Sequence, residues 1–202
     1  MTVDNPFLHC DQFEDEVFSD VELPNADLSG KEFVRCTFRK ALLPQANWTG
    51  ARLDDCTFDG CDLTRMRPAK MAARGVAFVN CRLMGIDWTE LRSTPTMSFD
   101  HCNLQYASFV NVNLTATRFA HCRLTEVNFF ESRLVDAEFT DSDMRGARFE
   151  GCDARNANFA DAVGVFIDPA RNKVKDARIG IATALMLAAS FGLRVHGYDE
   201  DA

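Results

Sequence analysis

A large apolar residue recurs at every fifth position over most of this 202-residue chain. From Leu8 to Leu63 each fifth residue is Leu, Phe or Trp, and after a gap the series resumes in the same phase at Phe78. Beyond residues 89–97 the phase moves by one residue and then holds from Phe99 to Phe159. The position two residues earlier is usually small or slim. A period of five fits neither a helix nor a plain strand, so each five-residue unit must bring one large and one small side chain inward.

Four such units, one for each side of a square, form one coil. Successive coils then stack through parallel β-type hydrogen bonds about 4.8 Å apart. Because the central residues after position 99 alternate between aromatic and smaller types, two opposed phenylalanine ladders are expected inside a solid rod without a ligand cavity. The predicted core ladder is Phe99, Phe109, Phe119, Phe129, Phe139, Phe149 and Phe159.

The units ADLSG (Ala26–Gly30) and ANFAD (Ala157–Asp161) resemble those of the pentapeptide-repeat family. The resemblance covers roughly residues 6–162 and implies an all-β fold, a right-handed quadrilateral parallel β-helix. We expect this pentapeptide-repeat solenoid to have about seven coils and a C-terminal α-helical cap.

The five-residue pattern divides the chain into residues 1–163, the β-helix, and residues 164–202, a capping and dimerisation segment. The stretch Ala177–Phe191 is rich in Ala, Leu, Met and Ile and predicts a helix ending near Gly192. Its apolar residues surround most of the helix, which is more than one buried stripe needs. A helix that only caps the last coil is the alternative to a homodimer interface. The predicted interface residues are Ile179, Ile181, Leu185, Met186, Leu187 and Phe191.

Two segments depart from the pattern and are predicted to be outward loops, at about residues 64–75 and 89–97. The first lies in CDLTRMRPAKMAARGV (Cys61–Val76), which has four basic residues and no acidic one after Asp62. We expect it to bind the partner, with a tolerated surface loop as the alternative, and deletion of Met66–Gly75 to leave the rod folded. The predicted partner-binding residues are Arg65, Met66, Arg67, Lys70, Met71 and Arg74, with Glu90, Leu91 and Arg92 in the second loop.

The formal net charge of −8 argues against direct nucleic-acid binding, which needs a basic surface. The N-terminus lacks a signal-peptide pattern and no apolar run is long enough to span a membrane, so a cytoplasmic protein is expected. Seven of the eight cysteines lie at the small inward position, which predicts free core thiols.

No cofactor, metal site or catalytic residues are predicted. The pairs His101–Cys102 and His121–Cys122 are four units apart, which places them on adjacent coils. Each cysteine is expected to point inward and each histidine outward, so a histidine and its neighbouring cysteine are not expected to share an ion. No nucleophile–base motif is present, and the chain is not expected to be an enzyme.

The turn DPARNK (Asp168–Lys173), the apolar tail and the predicted loops resemble the topoisomerase-protecting branch of the family, which includes the Qnr, MfpA, microcin B17-resistance and albicidin-resistance proteins. That resemblance implies a homodimer that imitates DNA, binds DNA gyrase or possibly topoisomerase IV, and protects it from poisons, giving antibiotic resistance or self-immunity. The alternative is a non-catalytic scaffold repeat protein with an unrelated protein partner.

Overall fold

The computed structural model describes residues 5–92 and 94–198 and shows a parallel β-solenoid followed by one helix. The strands are short because each occupies one side of a coil. They are β1 (Gln12–Glu14), β2 (Val17–Ser19), β3 (Glu32–Val34), β4 (Thr37–Arg39), β5 (Arg52–Asp54), β6 (Thr57–Asp59), β7 (Ala72–Arg74), β8 (Val76–Val79), β9 (Met97–Asp100), β10 (Arg118–Ala120), β11 (Asn158–Phe159) and β12 (Arg178–Ile179). The helix α1 spans Ile181–Ser190.

Each coil pairs with the next along four faces, as the four-sided prediction requires. Strands β1, β3, β5 and β7 form a parallel sheet on the first face, and β2, β4, β6, β8, β9 and β10 form one on the second. The third and fourth faces are joined by isolated parallel bridges, such as Glu22 to Leu42 and Asp27 to Asn47. Partners are four units apart along the chain, so a unit repeats its position after one coil.

The second face carries the longest unbroken ladder and sets the length of the rod. Its inward residues are Phe18, Phe38, Phe58, Phe78, Phe99, Phe119, Phe139, Phe159 and Ile179. Nine rungs enclose about eight coils, one more than the sequence predicted. The extra coil was missed because the solenoid does not end at residue 163. It continues to Ile179, which pairs with Phe159.

The interior is filled by the two predicted aromatic ladders, which are confirmed. On the second face Phe119 and Phe139 stack with ring centroids 5.1 Å apart. On the fourth face Phe109 and Phe129 stack at 5.5 Å. Rings of the two faces meet edge to face, as Phe109 and Phe119 do at 6.0 Å. This packing leaves the outer surface as the place for function.

The last residue of most units lies at a corner and adopts a left-handed backbone, for example Arg65 with φ 55° and His101 with φ 52°. This conformation favours Gly, Asn and Asp. Gly75 (φ 62°) shows a second reason for glycine, because a Cβ there would collide with the carboxylate of Asp55. Side chains at one corner of adjacent coils therefore project side by side.

The predicted outward loop at 64–75 is wrong. Asn47 bridges Arg67, and β7 pairs with β5 so that Arg52, Leu53 and Asp54 face Ala72, Ala73 and Arg74. The five-residue path is therefore unbroken, with Pro68 and Ala73 at the central positions. They were overlooked because neither is a large apolar residue.

The predicted outward loop at 89–97 reduces to one inserted residue. Phe58 and Phe78 are four full units apart, whereas Val76 pairs with Met97, which lies one position beyond that spacing. The Arg92 amide still donates to Met71 O at 2.8 Å, as in a regular coil, so the insertion lies between Arg92 and Met97. Pro95 is buried within it.

The two ends of the rod are closed differently. At the N-terminal end the ring of Phe7, only 1% exposed, packs 5.0 Å from that of Phe18. Leu8, which the five-residue pattern places inside, is 68% exposed. At the other end α1 follows β12, and within the described residues no helix has the length and hydropathy needed to cross a membrane.

Candidate partner-binding surface

The four basic residues of the first predicted loop lie on the rod surface and do not converge. Arg65 and Lys70 occupy left-handed corners, with φ 55° and 58°. Arg67 points outward from the fourth face, and Arg74 from the first, where its Nε lies 3.7 Å from Asp54 Oδ1. A partner that contacts one face of the rod would therefore meet only some of these charges.

Met66 and Met71, predicted as partner contacts, are buried, so this prediction is wrong. Met66 is 3% exposed and Met71 is fully covered. Each stands two residues before a small central residue, Pro68 or Ala73, and fills the interior space that this residue leaves. The usual order, small then large, is inverted in both units, MRPAK and MAARG.

A shallow depression lies on the fourth face beside Pro68. Pro68 has no amide hydrogen, whereas the equivalent Trp48 amide donates to Arg67 O at 2.9 Å. Arg65 and Arg67 line one side of the depression. The full lining is Thr49, Arg65, Met66, Arg67, Pro68, Ala69, Gly85, Asp87 and Glu90.

A second shallow depression lies on the first face, beside the inserted residue. Its lining includes Arg52, Arg74 and Arg92 together with Thr94 and Thr96. Arg52 lies 3.6 Å from Glu32, and Arg74 is paired with Asp54 as described above. Of the second predicted loop, Glu90 and Arg92 are exposed, whereas Leu91 packs against the core.

Acidic groups dominate the N-terminal coils. Residues 1–63 hold 13 acidic and 5 basic side chains. Arg35 donates to both Glu14 and Asp15, and its hydrogen bond holds the pKa of Asp15 below the usual range of an aspartate. Lys31 is nearly buried and donates to Asp11 and to the Cys10 carbonyl, both at 2.8 Å. Most of the other carboxylates among residues 5–63 are exposed, so this end of the rod has an acidic surface.

The predicted dimer residues divide into two groups. Ile179 belongs to β12 and is half-buried as the last rung of the second face. Ile181, Met186 and Phe191 are 64%, 41% and 60% exposed, and Leu185 and Leu187 are half-buried. Exposed apolar residues continue past the helix to Leu193, Val195 and Tyr198. Thr183 is the one buried residue of α1, so the helix leaves most of its apolar surface uncovered.

The inward cysteine thiols are buried in the core and hydrogen-bond to backbone carbonyls. Cys56 Sγ lies 3.4 Å from Phe33 O, and Cys81 Sγ lies 3.4 Å from Phe58 O, each donating a hydrogen bond to the coil before. Burial raises the pKa of Cys56 to about 12, and the hydrogen bond with Cys102 raises the pKa of Cys81 to about 12. A thiol with so high a pKa is a poor nucleophile.

Two corner histidines, which the sequence places on adjacent coils, are brought into contact by the fold. His101 and His121 project from adjacent coils beside Asp100. The cysteines that follow them are buried, as predicted. The sequence signal was their separation by one full coil, which places residues of one corner side by side.

Comparison with known proteins places the repeats in the pentapeptide class. A family model described as "Pentapeptide repeat region" matches residues 95–159, and one described as "Pentapeptide repeats (8 copies)" matches residues 32–65. The "Quinolone resistance pentapeptide repeat protein QnrB96" of Scandinavium goeteborgense is 30% identical over 106 residues, 48% of this chain. The match spans about half of that relative, 50% of its length.

Among solved structures, a trypsin-treated form of QnrB1, a plasmid-mediated fluoroquinolone resistance protein, aligns with a TM-score of 0.54 and 24% identity, covering 91% of this chain and 89% of QnrB1. This likeness shows a shared fold. HetL, a pentapeptide-repeat protein of the cyanobacterium Nostoc, aligns with a TM-score of 0.41 and 17% identity over 83% of this chain and 86% of its own.

Proposed function

This chain belongs to the pentapeptide-repeat family, and on that premise we propose that it is a non-catalytic, cytoplasmic DNA mimic that binds a type II topoisomerase. DNA gyrase is the proposed partner, with topoisomerase IV as a possible second target. By occupying the enzyme's DNA path, the protein relieves poisoning and gives resistance or self-immunity. The observation that carries this proposal is a solid acidic rod that ends in an uncovered apolar helix.

The shape of the rod supports mimicry of a duplex. The aromatic ladders fill the interior, so any partner must be bound by the outer faces. About eight coils at about 4.8 Å give a rod about 38 Å long. A dimer joined at its C-terminal ends would be about twice as long. A length of this order suits an enzyme groove that holds a segment of double helix.

The charge distribution supports an electrostatic part in recognition. The excess of 13 acidic over 5 basic side chains in residues 1–63 gives −8, equal to the net charge of the whole chain. Duplex DNA is more densely charged, with one negative charge per about 1.7 Å. The acidic coils therefore attract a DNA-binding groove less strongly than DNA does, and shape must contribute the rest.

The exposed apolar tail supports a homodimer. Large apolar side chains gathered at one end of a protein usually mark an interaction surface. Ile181, Met186 and Phe191 supply such a surface, and a second copy would cover it with the same residues, as a two-fold interface requires. In that dimer the acid-rich coils lie at the two outer ends.

The basic residues remain proposed contacts of a different kind. Arg65 and Arg67 line the depression on the fourth face, next to Asp87 and Glu90. A local positive charge does not resemble DNA, so these arginines would contact acidic side chains of the topoisomerase. Met66 and Met71 are excluded from this role because they are buried.

The test is gyrase supercoiling and fluoroquinolone-induced DNA cleavage, each with the purified protein. We expect less poison-induced cleavage and, at high protein concentration, inhibition of supercoiling. The double substitution Asp20→Lys with Glu22→Lys, at two exposed acidic positions, should weaken both effects. Its matched control, Lys173→Glu with Lys175→Glu, changes the charge by the same amount in the opposite direction at exposed basic positions and should not weaken them.

A second measurement separates dimerisation from binding. Ile181→Asp with Phe191→Asp should give a monomer by light scattering and reduce protection while leaving the β-solenoid circular dichroism unchanged. If the wild-type protein leaves both supercoiling and poison-induced cleavage unchanged, the topoisomerase proposal fails and the scaffold alternative is favoured.

A further inference from the structure

One corner of the second face holds two neighbouring histidines whose rings are in contact. His101 and His121 come from adjacent coils, and their ring centroids are 4.5 Å apart with 35° between the ring planes. Both residues adopt the left-handed corner conformation, with φ 52°. Equivalent corners on the neighbouring coils carry Asn80 and Asp141. Two of the four histidines of the chain are therefore side by side on the rod surface.

Each imidazole has a carboxylate beside its Nδ1 atom. His101 Nδ1 lies 2.9 Å from Asp100 Oδ1, and His121 Nδ1 lies 3.7 Å from Asp141 Oδ2. In metal sites a carboxylate at one ring nitrogen fixes the tautomer and directs the other nitrogen to the ion. Asp100 is close enough to hold the His101 ring through a hydrogen bond, whereas Asp141 lies beyond hydrogen-bond distance of His121.

We propose that this corner binds one divalent transition-metal ion of the zinc class. Its protein ligands are the two imidazoles, with Asp100 as a third ligand or as the orienting partner of His101. Nitrogen and carboxylate oxygen are donors that suit Zn²⁺, Ni²⁺ and Cu²⁺. The inference concerns a corner that the topoisomerase proposal does not use, so either can fail without the other.

The distances suit this role. One candidate ligand atom from each of Asp100, His101 and His121 lies within 4.8 Å of the others. Ligands at about 2.0–2.1 Å around a tetrahedral Zn²⁺ are about 3.3 Å from each other. The side chains of His101 and His121 are 57% and 41% exposed, so both are free to rotate toward a shared ion.

The consequence of binding is a cross-link between two coils. The strands β9 and β10, which lead to the two histidines, already pair through Phe99 and Phe119. An ion held by both histidines would join these coils on the outer surface, as the stacked rings of Phe99 and Phe119 join them in the interior. Because the ion binds only the folded chain at this geometry, it raises the melting temperature in proportion to its occupancy.

The test is a titration of the full chain with ZnCl₂ by calorimetry, at pH 7.5, in a Cys10→Ser background. That background is needed because Cys10 is the exposed thiol among the described cysteines. We expect saturable binding of one Zn²⁺ per chain and a higher melting temperature. His101→Asn or His121→Asn should lower the affinity at least about tenfold, and Asp100→Asn should lower it by a similar factor.

The controls are His9→Asn and His196→Asn, which remove exposed histidines elsewhere and should leave the affinity unchanged. Competition with Ni²⁺ and Cu²⁺ should follow the usual order of affinities, with Cu²⁺ the tightest. Absence of saturable binding overturns the proposal, as does an affinity that His101→Asn and His121→Asn leave unchanged while both variants fold. In that case the two histidines are in contact without a metal ion.

Discussion

Two regions of the rod achieve the same coil geometry with opposite side-chain arrangements. In residues 99–159 the central position is large, except at Ala154, and the inward position before it is small, as in Ala137 and Phe139. In the segment Met66–Gly75, here called the methionine segment, the central residues are Pro68 and Ala73 and the large side chains precede them. Both regions pair in register with their neighbouring coils.

The coil therefore depends on the combined volume of the two inward side chains of a unit more than on either position alone. Interiors are packed at nearly crystalline density, so a small central residue must be compensated nearby. Met71 compensates for Ala73 in this way, since both are buried in the same unit. Methionine suits this role because its flexible side chain fits irregular spaces.

Deletion within the methionine segment gives the largest expected effect. Removing Met66–Gly75 takes away two of the four faces of a coil, so every later unit would meet the wrong face of the coil before it. We expect loss of cooperative thermal unfolding by circular dichroism. Removing Met66–Gly85, one whole coil of four units, keeps each face in register and should retain a cooperative transition.

Each deletion serves as the control for the other, because the shorter one removes fewer residues but should destabilise the fold more. If the shorter deletion melts like the wild type while the longer one unfolds, the methionine segment is a loop after all. That outcome would restore the interpretation drawn from the sequence.

Substitutions that exchange the large and small side chains within the unit Met71–Gly75 should have an intermediate effect on the free energy of unfolding. Met71→Ala should destabilise the fold by about 2–5 kcal/mol because it opens a cavity. Ala73→Leu alone should cost about 1–3 kcal/mol through overpacking. The double variant recreates the arrangement of Ala51 and Leu53 on the coil below, and should recover to within about 1.5 kcal/mol of the wild type.

Chemical denaturation of the four proteins measures this coupling as a double-mutant cycle. Met186→Ala is the matched control, because Met186 is 41% exposed and its truncation should change stability by less than about 0.5 kcal/mol. Strict additivity of Met71→Ala and Ala73→Leu would contradict the shared interior space.

The fold could be predicted from the sequence wherever the central position of each five-residue unit holds a large apolar residue. The aromatic ladders from Phe99 to Phe159 and the stacking of coils are confirmed. The methionine segment was misread because the central position was examined without its partner. The end of the rod was misplaced because Gly164 interrupts the apolar series, although Val163 still bridges Asp143.

Contacts across coils were harder to predict than the fold itself. The coil period placed His101 and His121 on adjacent coils, but the contact between their rings was not predicted, because each histidine was compared with its neighbouring cysteine and not with the other histidine. Asn172 shows another such contact. Its buried Oδ1 accepts a hydrogen bond from the Cys152 amide at 2.9 Å, and its Nδ2 donates one to Phe149 O at 3.2 Å. The Ser142 hydroxyl makes the equivalent pair of hydrogen bonds, with the Cys122 amide and Phe119 O. An amide thus replaces a small residue.

Changes on the outer surface give the smallest expected effect and should not distinguish the two regions. In the regular region Arg145 donates to Asp143, with Nη2 2.5 Å from Oδ2, and this bond lowers the pKa of Asp143 below its usual value. At pH 7 we expect Asp143→Asn to cost less than about 1 kcal/mol, since the pair is partly exposed. Arg67→Gln in the methionine segment should change stability by less than about 0.5 kcal/mol.

The effect of pH separates this pair from a packing effect. Because the folded pKa of Asp143 lies below its unfolded value, its contribution is complete above the unfolded value and declines as the pH falls through the folded one. The stability difference between wild type and Asp143→Asn, measured by denaturation from pH 7 to pH 3, should therefore shrink from about pH 5 downward. The difference between wild type and Met71→Ala should persist, since no charge is involved. If the stability difference between wild type and Asp143→Asn does not change with pH, the carboxylate contributes by packing and not by its charge. The outer surface of the regular region would then contribute to stability through packing, which is not expected of the surface of the methionine segment.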